Sequence, residues 1–246
     1  MYLFIIMKIA IPSYNRPRQI VDKTLAFLER HNIPKTDIYI FIVDEEHGIY
    51  TDSIDNDEYN IIIGHHGIAN QRNFITNYFE LDQFILVLDD DIHDLLFTDN
   101  GILKSVGDLK FILNNMKDVM ESTGLNLCGI YPVANPLFMR SGKLTTDLKF
   151  CVGQFYMIKN KKILLNELAE AKEDYENTIK YFINDGGVCR FNNLCVKTVN
   201  HAKGGLGSIK TKRLQMNVNA TEYLMNEYPE FVCHKKKLGE IRLQLS

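Results

Sequence analysis

The sequence predicts an α/β fold with a mainly parallel, mixed sheet flanked by helices, and three observations carry that prediction. Short apolar runs of strand length alternate with longer amphipathic stretches of helix length along the first hundred residues. Polar and acidic residues gather just after the apolar runs, where the carboxyl ends of parallel strands form a ligand crevice. The 246-residue chain is 46% hydrophobic and 24% charged, enough to bury a sizeable core in one domain.

The elements follow in order. Residues 8–12 read as a first buried strand, and Ser13-Tyr14-Asn15-Arg16-Pro17 as the loop feeding a helix over about 18–31. A second apolar strand over 37–43 ends in Asp44-Glu45-Glu46, and a third spans 59–63. A glycine-bounded turn over 64–67 then leads to a helix over about 69–79, with Gln71, Arg72 and Asn73 expected in its first turn. The run Phe84-Ile85-Leu86-Val87-Leu88 is a fourth strand, and it runs into Asp89-Asp90-Asp91.

Strand, helix, strand, strand, helix, strand is the order of an α/β nucleotide-binding half. Beyond it come a helix over about 106–123, a strand over 127–131 and a hairpin-like region over 138–159. A polar segment over 166–170 precedes a helix from Glu173-Asp174 through 184, and a strand over 194–199 leads to His201 and Gly204-Gly205-Leu206-Gly207. The tail over 221–245 reads as an amphipathic helix, Pro229 and a basic patch, His234 to Lys237. The expected organisation is one domain over 1–246. About 1–100 bind the nucleotide, about 101–220 form the acceptor and catalytic half, and 221–246 are a C-terminal helix and basic tail.

Three adjacent carboxylates repel one another unless a cation neutralises them, and hard oxygen ligands suit Mg2+ or Mn2+ holding a substrate's phosphates. The same tripeptide also suits a solvated acidic turn, or the N-cap of a helix opening over 92–97. A formal charge of −3 carries no general nucleic-acid-binding field, so contact with DNA or RNA has to be local. The apolar stretch over 2–7 is too short for a membrane span and lacks a signal-peptide cleavage pattern; Met7 is an alternative start. Five cysteines, odd in number and without a C-x-x-C pair, point to reduced thiols in the cytoplasm.

Residues 9–17, the Val43-Asp44 strand end, Gly67 to Asn73 and Leu88-Asp89-Asp90-Asp91 occur in the order and spacing of the GT-A glycosyltransferases, which this chain resembles. Gly-Ile-Ala-Asn-Gln-Arg-Asn-Phe, at 67–74, is similar in particular to the TET-associated glycosyltransferases of phages and other viruses, thought to add sugars to hydroxymethylated pyrimidines in DNA. The resemblance implies a nucleoside-diphosphate sugar as donor, Mn2+ or Mg2+ as cofactor, hydroxymethylated DNA as acceptor, and the host cytoplasm if the source is viral.

The resemblance also implies roles. Pro12, Tyr14 and Arg16 would line the nucleoside pocket, with Asp44 accepting hydrogen bonds from base or ribose. Asp89 would contact ribose and cation, Asp91 would bind the cation, and Asp90 is left between these roles. Arg72 is expected beside the diphosphate at a helix start, although its residue type also suits an ordinary surface ion pair. His201 would complete the metal shell, and Gly204 and Gly205 would let backbone amides approach the phosphates. Gly153 would stand near donor and acceptor. Glu173-Asp174 resembles the acidic pair of inverting GT-A enzymes, with Asp174 the base and Glu173 the reserve; an acidic pair is also good helix capping. A different acceptor, a viral glycan or capsid protein, keeps the enzyme class. A nucleotidyltransferase shares the metal and fold class, but no glycine-rich phosphate loop with a basic residue follows the first strand. A non-catalytic nucleotide-binding protein would bind donor without turnover.

Overall fold

A computed structural model describes residues 7–55, 57–139, 143–198, 210–235 and 239–245. Its main sheet has eight strands in the order β3-β2-β1-β4-β9-β7-β10-β8. These are β1 (Lys8–Pro12), β2 (Ile38–Ile42), β3 (Asn60–Ile63), β4 (Phe84–Leu88), β7 (Leu127–Ile130), β8 (Leu144–Thr145), β9 (Phe155–Lys159) and β10 (Cys189–Phe191). β1, β2, β3 and β4 run parallel, whereas β9 is antiparallel to both β4 and β7. β5 (Ile92–Asp99) and β6 (Ile102–Ser105) join β11 (Leu194–Thr198) in a three-stranded antiparallel sheet.

Alternation along the strands sorts the core into two layers. Ile9 and Ile11 of β1 pack with Phe27 and Leu28, while Ala10 faces Phe41, Ile75 and Phe79 on the other side. The first helical layer is α1 (Pro17–Ile20), a π-helical turn at Val21–Leu25 and α2 (Ala26–Arg30), with Pro17 at its favoured start. After β2 come a 3-10 turn at Asp44–Glu46 and α3 (His47–Thr51), and after β3 comes α4 (Ile68–Tyr78) on the opposite face. α5 (Leu109–Thr123) is capped by Asp108, whose carboxylate accepts from the Phe111 N–H. Because β1 lies between β2 and β4, the strand order reverses there, and the carboxyl ends of β1 and β4 border the crevice of a topological switch point.

Three elements differ from the sequence reading. Among the described residues of 138–159 there is no hairpin: β8 pairs with β10, while β9 lies deep in the sheet between β4 and β7. Residues 92–99 are a strand, although burial recurs at Ile92, Leu95 and Thr98, a spacing of three that imitates a helix face. The C-terminal helix, α7 (Lys210–Glu227), starts well before residue 221, and the tail returns as a hairpin of β12 (Val232–His234) and β13 (Ile241–Leu243). No helix among the described residues is long and apolar enough to cross a membrane.

The C-terminal elements fix α6 (Glu173–Asp185). Glu176, with none of its surface exposed, accepts from the Tyr223 and Tyr228 hydroxyls at 2.8 and 2.9 Å and from the Asn166 N–H at 2.7 Å. Lys180 pairs with it at 3.1 Å. A buried carboxylate satisfied this fully is a rigid joint between α6 and α7.

Candidate active site

Five segments converge at the switch point. Residues 12–16 follow β1, Asp89-Asp90-Asp91 follow β4, Gly153 sits in the turn before β9, Arg72 projects from α4, and Glu173-Asp174 open α6. The antiparallel pairing of β9 with β4 brings Gly153 beside the aspartates, since Leu88 faces Phe155 and the Asp89 N–H donates to the Gln154 carbonyl at 3.0 Å.

The aspartate turn is held by its backbone and by its middle side chain. Thr24, buried in the π-helical turn, donates to the Asp89 carbonyl at 2.8 Å and accepts from the Ile92 N–H at 3.0 Å. Such widened turns often mark functional positions. Asp90 is buried and accepts from Ser13 Oγ at 2.7 Å and from Arg16 Nη1 at 2.9 Å. Burial raises its pKa, and Arg16 and Ser13 pull it back. Asp90 and Arg16 therefore tie the β1 loop to the β4 turn, which leaves Asp89 and Asp91 to face a ligand.

Arg72 organises the opposite wall. It is the fifth residue of α4, only 5% of its side chain is exposed, and its Nη2 donates to the Gly153 carbonyl at 3.0 Å. The same nitrogen lies 3.4 Å from Asp89 and 3.5 Å from Glu173, and the guanidinium sits over the Tyr156 ring at 5.3 Å. Arg72 is thus neither in the first turn nor in a surface ion pair. The helix N-terminus expected beside a diphosphate is already capped: Glu170 accepts from the Ile68 and Ala69 N–H groups at 2.7 and 3.0 Å. Gly67 precedes that cap with φ +83, in the left-handed region that favours glycine, and a Cβ there would lie 3.2 Å from the Glu170 carboxylate.

Gly153 lies at the centre of this wall. Its N–H donates to Asp174 Oδ2 at 3.3 Å, and a Cβ would stand 3.0 Å from Glu173, 3.2 Å from Arg72 and 3.4 Å from Asp174. Asp174 Oδ1 also accepts from the Tyr175 N–H at 3.0 Å. Burial raises both carboxyls of the acidic pair; Glu173 is raised further by Asp174, whereas the Gly153 N–H and Arg72 hold Asp174 back.

Pro12 closes β1 and is buried; Tyr14 is 49% exposed, with its ring edge-on to His66 at 5.9 Å. Asp44 is exposed at the end of β2, so Tyr14 and Asp44 border the crevice from the β1 and β2 sides. His201, Gly204 and Gly205 lie outside the described residues. Sequence reasoning missed Ser13, Thr24 and Glu170. Ser13 and Thr24 are small polar residues in a loop and on a helix, with no local pattern marking them, and Glu170 meets its partners from 101 and 102 residues away.

Two features fit a divalent cation. Asp91 Oδ1 is buried without a hydrogen-bond partner among the described residues, which leaves an acceptor oxygen that a cation would satisfy. Asp89 is pushed up to about 7 by burial; Arg72 opposes the shift, and Asp91 and Asp90 add to it. Among the described residues no group of three His, Cys, Asp or Glu side chains could hold a metal, so Asp89 and Asp91 would contribute two ligands at most. Such a shell suits a cation that keeps water and takes the rest of its ligands from substrate phosphates.

A pH dependence follows. A carboxylate raised in the fold stabilises the protein below its unfolded pKa, roughly 3.9 for Asp, and that contribution is lost as pH rises through the folded value. A cation displaces the proton that Asp89 holds, so stabilisation by Mg2+ should grow from about pH 5 to about pH 8. Thermal melts with Mg2+ or with EDTA check this, and a shift independent of pH would remove Asp89 from cation binding.

No protein-family model and no curated protein matches the chain. Solved structures do resemble it. Residues 1–349 of S. aureus TarS in complex with UDP match at TM-score 0.53 and 16% identity, over 89% of this chain and 66% of that one. The mannosyltransferase PcManGT of Pyrobaculum calidifontis, in complex with GDP-Man and Mn2+, matches at 0.53 and 14% identity, over 89% and 64%. Glucosyl-3-phosphoglycerate synthase of Mycobacterium tuberculosis, in complex with phosphoglyceric acid, matches at 0.52 and 10% identity, over 96% and 88%. This chain covers just under two thirds of the first two. The fold is that of these GT-A glycosyltransferases.

Proposed function

We propose that the chain transfers a sugar from a nucleoside-diphosphate donor to a hydroxyl group, with inversion, and that the acceptor is a hydroxymethylpyrimidine in DNA. One observation carries the reaction type: Asp91, with an oxygen unpartnered among the described residues, and Asp89, its pKa raised by burial, stand opposite a second acidic pair, Glu173-Asp174, with a buried arginine between them. Carboxylates suited to bind a metal and carboxylates suited to accept a proton thus lie on either side of a fixed cation.

Each group has a task. Tyr14 and Asp44 border the space for base and ribose, and Asp89 and Asp91 would hold Mn2+ or Mg2+. A bound cation supplies charge neutralisation for the departing diphosphate. Asp174 takes the acceptor proton as the new bond to the sugar's anomeric carbon forms and the bond to the diphosphate breaks. Arg72 keeps Glu173 and Asp89 in place and adds positive potential under the leaving group. The DNA acceptor is supported by the likeness of residues 67–74 to the TET-associated enzymes.

Thermal melts with a panel of nucleoside diphosphates, with and without Mn2+, test donor binding, since a ligand selective for the native state raises the melting temperature. Transfer of labelled sugar is then measured to hydroxymethylated duplex, unmodified duplex, glycan and protein. Hydroxymethylated duplex should be labelled and unmodified duplex should be inert, because its bases offer no primary hydroxyl. Labelling of glycan or protein alone would displace the DNA acceptor. Asp91→Ala should abolish the Mn2+-dependent part of the donor shift with the fold intact, as the side chain follows the end of β4 and its Oδ1 has no hydrogen-bond partner among the described residues to lose. Unchanged donor and Mn2+ binding in calorimetry would remove Asp91 from the metal site.

A further inference from the structure

A cavity is lined in part by Tyr175, the residue that follows Asp174 at the start of α6. It measures about 240 Å3 and is bordered by Phe150, Tyr175, Lys149, Arg190, Lys235 and Arg242. Phe150 and Tyr175 stack at 4.2 Å with 25° between their rings and form one flat wall. Tyr175 and Phe150 lie one and three residues from Asp174 and Gly153, which are joined by the Gly153 N–H to Asp174 Oδ2 bond, so the cavity stands within a few residues of the proposed base.

The cations of this cavity outnumber its anions. Lys149 is paired with Asp147 at 2.7 Å. Arg190 donates to neutral oxygens, the Phe150 carbonyl at 3.1 Å and Asn192 Oδ1 at 2.9 Å, and Arg242 donates to Cys233 Sγ at 2.9 Å. Among the described residues, neither of these arginines nor Lys235 forms an ion pair with a carboxylate. Glu240 lies near Tyr175 and Lys172 and moderates the local charge without cancelling it. The lining comes from the segment before β9, from β10 and from the C-terminal hairpin, so the fold gathers these charges from distant parts of the chain. Like charges brought together beside a flat aromatic wall are stabilised by an anion that accepts several hydrogen bonds at once, and the guanidinium fork matches phosphate.

We infer that this cavity is a phosphate subsite of the acceptor, holding a phosphate group so that the acceptor hydroxyl reaches Asp174. The inference rests on the glycosyltransferase reading and adds to it the class of acceptor: one that carries phosphate, either the phosphodiester of a polynucleotide or the phosphomonoester of a small molecule.

The test measures binding without donor or metal. A fluorescein-labelled single-stranded 12-mer containing one 5-hydroxymethylcytosine is titrated by anisotropy at several salt concentrations, and phenyl phosphate is titrated by calorimetry. Lys235→Gln/Arg242→Gln removes two exposed charges from the cavity, and Lys159→Gln/Lys161→Gln removes two from the far end of β9 as a charge-matched control. Binding of the 12-mer should weaken at least about tenfold in the cavity variant, with the slope of log affinity against log salt reduced by about 1.4, and should hold in the control. That outcome assigns the phosphate to a polynucleotide. Binding of phenyl phosphate alone, lost in the cavity variant, assigns it to a small phosphorylated acceptor. Equal behaviour of the two double variants overturns the subsite. Melts with nucleoside diphosphate and Mn2+ on the same wild-type protein report the donor reading separately, so either inference can fail without the other.

Discussion

Replacing Asp174 by Asn should lower sugar transfer at least about a hundredfold, the usual scale for loss of a general base, while donor affinity stays within about twofold. The side chain lies opposite the aspartate turn and accepts from two backbone amides, Gly153 and Tyr175, so its carboxylate is oriented before substrate arrives. Burial raises its pKa above the ordinary carboxylate range, which makes it a stronger base near neutral pH. The base must be deprotonated to act, so the rate should rise with pH through the raised value and then level. The Asn variant should lose that acid limb along with most of its rate.

Glu173 provides the discriminating control. It is pinned by Arg72 at 3.5 Å, so Glu173→Gln weakens an ion pair in the wall and leaves Asp174 able to take a proton. Normal transfer in Asp174→Asn, with loss in Glu173→Gln, would reverse the two assignments.

How much of this was legible in the sequence depends on whether the signal was local. The parallel strands β1 to β4 were legible as apolar runs bounded by turn residues, and the aspartates were legible because three adjacent carboxylates after a buried strand fit a cation at a crevice as well as an acidic turn. The Glu173-Asp174 pair was singled out by its likeness to the acidic pair of inverting GT-A enzymes, and the helix expected from it is α6. β9 was misread as one arm of a hairpin because its partners, β4 and β7, are set by tertiary pairing and leave no mark next to it. The helix alternative over 92–97 rested on the capping preference of aspartate, whereas the segment is β5, paired with β6 and with β11 far along the chain. Arg72 was recognised as important, but its depth was hidden: nothing local reveals that Gly153, 81 residues away, leaves room for its guanidinium. The basic cavity was partly announced by the tail lysines, yet Arg190 and Arg242 join Lys235 only once the C-terminal hairpin folds back.

Arg72→Met should have the largest effect on stability of any substitution in the site, and its size should depend on pH. Methionine keeps an unbranched apolar stem but not the guanidinium that sits over Tyr156, so the loss is one of charge, of that cation–π contact and of the hydrogen bond to the Gly153 carbonyl. Removing one member of a buried ion pair typically costs about 3–5 kcal/mol, because the partner stays buried without compensation. Asp89 keeps 32% of its side chain in water, which places the expected loss near the lower end, about 3 kcal/mol. Without the guanidinium, Asp89, Glu173 and Asp174 lose the positive charge that opposes their upward shifts, and their pKa values move higher still. The sign then follows. Below about pH 5 these carboxyls are protonated in the variant and the cost is small; as pH rises through neutrality they must ionise together, and the deficit grows. Urea unfolding of wild type and variant at pH 5 and pH 8 measures it, with Mg2+ expected to restore part of the loss at pH 8 by neutralising Asp89. A deficit equal at both pH values would mean that Arg72 serves packing alone, and the electrostatic account of the wall would fall with it.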